Sequence, residues 1–106
     1  MSYDILDNLY RGKNYDVAEG FDKEKARQKA LRKVLPVIME NELTQRQRVC
    51  LKYMYISGKS QGEIAHILGL SKPTVSRHIN TAKNIVNSEL KYCYYAISSA
   101  LDSYGE

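Results

Sequence analysis

Cysteine, proline and glycine are scarce, with two, two and six among 106 residues, and tryptophan is absent. Cys50 and Cys93 are too few for a disulfide framework, and they show no metal-ligand spacing with each other or with His66 and His78. Both fall near apolar helix faces, where buried, reduced thiols are the expectation, and a cytoplasmic location is expected with them. So few prolines and glycines argue against a long disordered tail. No apolar run approaches the roughly 18 residues that span a bilayer, and no basic-then-apolar leader opens the sequence, so neither a membrane partner nor secretion is expected. A Gly-rich phosphate loop, a metal cluster, paired carboxylates and a nucleophile with an evident base are also missing, so the chain does not read as an enzyme and no cofactor is expected.

Acidic residues are the scarce charge where it matters. Residues 23–91 hold 14 basic and 5 acidic side chains, a net +9, within a chain of net +4. Residues 1–22 hold 2 basic and 5 acidic residues, and residues 92–106 hold 2 acidic and none basic. A basic centre between acidic ends suits a polyanionic partner; a solvated lysine-rich surface gives the same count.

The centre contains a pair of short helices. Ser60 followed by Glu63 forms a capping box, and Ile64, Ala65, Ile67 and Leu68 give an apolar face at helical spacing. Gly69 stands where a helix ends in the left-handed conformation, and Leu70 can plug the turn from the core side. Ser71 caps a second helix, Pro73 falls in its first turn, and Val75, Ile79 and Ala82 form its buried stripe. This pattern suggests a helix-turn-helix; an ordinary helical hairpin is the plainer reading.

The flanks read as helices too. Ile5, Leu6 and Leu9 predict a short helix near 3–10, broken by Gly12 and Asn14, in a segment (1–21) that docks on the chain's own core or on a partner. Asp22 can cap a basic helix over 22–42, with Ala26, Ala30, Leu31, Val34 and Leu35 on one side. Lys25, Arg27, Gln28, Lys29, Arg32 and Lys33 are expected to face out, and Pro36 should kink or restart the helix. Thr44 and Gln47 form another capping box, followed by a stripe of Val49, Cys50, Tyr53, Met54 and Ile56, with Gly58 near the helix end. Beyond Ala82 the stripe continues through Val86, Leu90, Cys93, Ile97 and Leu101, either in one helix or broken at 87–89 with Ser88 as a new cap. Seven of the nine tyrosines lie in residues 1–15 or 92–104, so the two ends are expected to pack together or to form a homodimer surface. The expected fold is all-α: one domain, a small bundle of about four to six helices, with a core at 43–86 and a helical extension over 87–106.

Leu43-Thr44-Gln45-Arg46-Gln47-Arg48-Val49, Ser57-Gly58-Lys59-Ser60, Glu63-Ile64-Ala65, Leu68-Gly69-Leu70-Ser71, Thr74-Val75 and His78-Ile79 together resemble region 4 of sigma-70 factors, the promoter-reading module. The same run is similar to the LuxR-type response-regulator domain. The resemblance spans residues 43–85. It implies a bacterial or phage-type transcription regulator that binds double-stranded DNA, and contact with RNA polymerase. A complete sigma factor also has a region that melts the promoter, which this chain has no room for. A separate sigma-like subunit would have to supply it. The upstream receiver or ligand domain usual in LuxR-type proteins is likewise not expected here. A helical adaptor or anti-factor, using the same fold to bind acidic protein, is the alternative.

Helical geometry distributes the expected contacts. With Val75, Ile79 and Ala82 inward, Pro73, Arg77, Asn80 and Asn84 lie opposite, flanked by Lys72, Thr74, Ser76 and Thr81. The N-terminal half of a recognition helix meets base edges, so Pro73, Thr74, Ser76, Arg77 and Asn80 are the expected base-facing residues. Arg77 suits a guanine and Asn80 an adenine. Arg46, Arg48, Lys59, Ser60, Gln61, Lys72, Thr81 and Lys83 are assigned to phosphates. His78 is expected half-buried and His66 exposed.

Overall fold

The computed structural model describes residues 4–11 and 23–104. The breaks expected at Gly12 and Asn14 and the cap at Asp22 lie outside them. The described residues form five helices: α1 (Ile5–Arg11), α2 (Lys23–Glu42), α3 (Gln45–Tyr55), α4 (Gln61–Leu68) and α5 (Lys72–Tyr104). No strand occurs among the described residues. The fold is a small all-α bundle with a long C-terminal helix, as expected.

α5 is the mast of the molecule. Its 33 residues, at about 1.5 Å per residue, are about 50 Å long, close to the full 53 Å long axis. Each of the other four helices packs against it. Its stripe of Val75, Ile79, Ala82, Val86 and Leu90 is buried without interruption, so 87–89 is no break. Asn87 is instead used as a polar partner: its Oδ1 accepts from the Leu6 amide at 2.8 Å.

α1 presses Ile5, Leu6 and Leu9 into the core. α2 contributes Leu31, Leu35, Ile38 and Met39 and runs through Pro36 without interruption. Pro36 is solvent-exposed, so water can reach the backbone at the site of its missing hydrogen bond. Lys23 lies 3.5 Å from Asp102, which sets the start of α2 beside the end of α5.

Three expectations about facing are corrected. Arg27 does not face out: its guanidinium lies 4.8 Å from the Tyr94 ring centroid and bonds Glu24, a cation–π contact that buries the charged stem. Ile56 is 65% exposed, because α3 ends at Tyr55 and Ile56 is its C-cap; Leu51 fills the core in its place. Ile67 is 46% exposed, since Ile64, Ala65 and Leu68 already define the inward side of the short α4. The tyrosine-rich ends also do not join ring to ring among the described residues. Tyr10 stacks on Tyr55 of α3 with centroids 5.0 Å apart, while Tyr94 meets Tyr95 and Arg27.

Candidate nucleic-acid interface

The joint between α4 and α5 is built by its caps. Ser60 Oγ accepts from the Glu63 amide and Glu63 Oε1 accepts from the Ser60 amide, each at 3.1 Å. These bonds hold the exposed Glu63 carboxyl below the usual glutamate range. Gly69 ends α4 at φ 66°, ψ 35°. Its amide donates to the His66 carbonyl at 3.4 Å and the Leu70 amide to that of Ala65 at 2.9 Å, the paired bonds of a Schellman turn. Leu70 then packs against the core. Ser71 Oγ accepts from the Thr74 amide at 3.3 Å and starts α5. Within four residues the chain reverses from one helix into the next, and both helices are clamped over Ile64, Ala65, Val75 and Ile79.

That clamp fixes which side of α5 meets solvent. Pro73, Arg77, Asn80, Thr81 and Asn84 are exposed, as is Lys72 at the helix start. No acidic residue occurs in the first turn of α5, so the positive end of the helix dipole and the Lys72 ammonium add there. The result is a polar, cationic ridge about one helix wide. Ser76 and Thr74 are half-buried on its flanks. The Thr74 hydroxyl is already hydrogen-bonded to Ser71 Oγ at 2.8 Å. His78 is half-buried and His66 exposed.

The residues assigned to phosphates divide into two sets. Lys59, Ser60 and Gln61 gather at the start of α4, with Lys59 4.0 Å from Glu63. Arg46 is exposed in the first turn of α3. Arg48 and Lys83, by contrast, are engaged within the protein. Arg48 donates to the Met39 and Glu40 carbonyls at 3.4 and 3.2 Å and lies 3.5 Å from the Glu40 carboxylate. α2 has no basic residue in its own last turn, and Arg48 of α3 supplies the cation its C-terminal carbonyls favour. Lys83 lies 2.8 Å from Asp4, the residue just before α1. Burial pushes the Lys83 ammonium down, but Asp4 and Tyr55 outweigh it and raise its pKa. Burial likewise pushes Asp4 up, while bonds from Lys83, the Asp7 amide and Asn87 hold it below its ordinary value. Asp4 and Asn87 escaped the reading of the sequence, because their partners lie about 80 residues away and no local spacing announces them.

Cys50 is fully buried, and burial raises its thiol pKa, with Arg46 pulling the other way; Cys93 is half-buried. Among the described residues no helix is long and apolar enough to cross a membrane.

Residues 41–84 match the family model of sigma-70, region 4, the first of the two resemblances read from the sequence. No curated protein and no solved structure matches the chain. The matched segment runs from the end of α2 through the exposed part of α5, so it contains the caps, the turn and the ridge. The helix-turn-helix of this chain, over residues 41–84, is thus similar to region 4 of sigma-70.

Proposed function

We propose that this chain is a sequence-specific regulator of transcription that lays the first half of α5 into the major groove of duplex DNA. The observation that carries the reading is the exposure of Pro73, Arg77, Asn80 and Asn84 directly opposite the buried Val75, Ile79 and Ala82. Arg77 offers two parallel donors to a guanine, and Asn80 a donor and an acceptor to an adenine; each such pair discriminates by about 1–3 kcal/mol. Ser76 is small enough for close approach, and Thr74 reaches a thymine methyl or a phosphate. Lys72, Lys59, Ser60, Gln61, Thr81 and Arg46 set register on the backbone through sequence-independent, salt-sensitive contacts.

The family match supports a region 4-like role in contact with promoter DNA and RNA polymerase. Selection of bound sequences from a random duplex pool, with the protein alone and with RNA polymerase, tests it. Enrichment that needs polymerase supports the sigma-like role. Symmetric half-sites with the protein alone indicate a homodimeric regulator. No enrichment in either arm, with polymerase binding retained, supports the adaptor reading.

A further inference from the structure

Lys83 differs from the other cations of the ridge. Its ammonium lies 2.8 Å from Asp4 Oδ2, and its side chain keeps 23% of its exposure. Asp4 is itself fastened. Its Oδ1 accepts from the Asp7 amide at 2.9 Å, which caps α1, and from Asn87 Nδ2 at 3.0 Å. Asn87 closes the loop by accepting from the Leu6 amide at 2.8 Å. Ile5, Leu6 and Leu9 are buried behind this clasp. Asn80 and Asn84 line the same cleft as Asp4 and Lys83. An acidic group is therefore anchored at the edge of the surface that has to approach a polyanion, and its charge is aimed at one ammonium.

We infer that Lys83 is a latent phosphate site of the DNA interface, and that Asp4 occupies it as an internal stand-in for a phosphate oxygen. The inference rests on the DNA-binding reading of α5. Carboxylate and phosphate oxygens are both strong acceptors for an ammonium, so they compete for one donor. Lys83 follows Asn80 by less than one helical turn, so it flanks the groove that Asn80 enters. In the clasped form one cation of α5 is neutralised. Displacing Asp4 returns that cation to the DNA and adds one backbone contact.

Titration of a fluorescent duplex over a salt series, with the full chain, tests this. One more phosphate contact steepens log K against log salt by about 0.9. Asp4→Asn is expected to bind more tightly and to show that steeper slope. Lys83→Gln alone is expected to leave the slope unchanged, and the double variant to return to the parent slope. Glu89→Gln removes the same charge at an exposed position of α5 without freeing Lys83, and should not steepen the slope. If Asp4→Asn fails to fold, Asp4→Ser keeps a helix-capping hydroxyl and repeats the test. An unchanged slope in the Asp4 variants, or steepening that persists in the double variant, overturns the inference alone. Absence of duplex binding by both the parent and the Asp4 variants at low salt overturns the DNA-binding reading and this inference with it.

Discussion

At the residue scale, the side chains of the interface sort by what holds them. Arg77 and Asn80 project from a helix whose opposite side is locked by Val75 and Ile79, so neither has an evident structural duty. Arg77→Ala is expected to weaken binding to the selected duplex by about 1–3 kcal/mol while leaving the thermal midpoint within the small range of surface substitutions; parallel binding and melting curves check this. Asp4 makes a different, pH-dependent prediction. Its folded pKa is depressed, so its contribution to stability is fully present above the unfolded carboxylate value and is lost as pH falls through the folded one. The protection factor of the Leu6 amide, its exchange corrected for the intrinsic pH dependence, should therefore fall below about pH 4, and Asp4→Asn should remove that acid-dependent step. Lys83 runs the opposite way. Its raised pKa stabilises below the unfolded lysine value and stops doing so as pH climbs through the folded one.

At the element scale, the turn between α4 and α5 is the part most sensitive to a small change. Gly69 holds φ 66°, and an added Cβ there meets nothing within 4 Å. Gly69→Ala should then cost about 1–2 kcal/mol from backbone strain alone, measurable by denaturant melts without any change in the core. Ser60→Ala should cost about 0.5–2 kcal/mol through loss of the cap. These features were legible in the sequence because each is local: a hydroxyl three residues before a carboxylate, and a glycine one residue past an apolar stripe. Helix facing was less legible. Ile56 looked inward at the spacing of Tyr53 and Met54, but α3 stops before reaching it, while Leu51 was overlooked one position from the assumed centre of the stripe. Arg27 could not be seen to fold onto Tyr94, nor Arg48 onto the end of α2, because both partners come from another helix.

At the scale of the whole molecule, α5 joins three tasks in one helix. Its first part carries the ridge, its middle receives α1 through Lys83 and Asn87, and its end packs on α2 beside Lys23 and Asp102. A cavity in the shared stripe should therefore be felt throughout. Leu90→Ala, at a fully buried position, is expected to cost about 2–5 kcal/mol and to lower DNA binding only through the unfolded fraction. The continuity of α5 was half legible, since the apolar spacing carried it past residue 86 while Asn87 and Ser88 offered a plausible stop. What removed the stop is a tertiary contact, the Leu6 amide on Asn87, which lies beyond any window of local sequence.

The most direct test of DNA binding through α5 is a chemical-shift map of the full chain titrated with its selected duplex. The largest changes are expected on Lys72–Asn84, led by Arg77 and Asn80, with a second group at Lys59–Gln61. Changes centred on the exposed Tyr92 and Tyr95, with Arg77 and Asn80 unmoved, would contradict it.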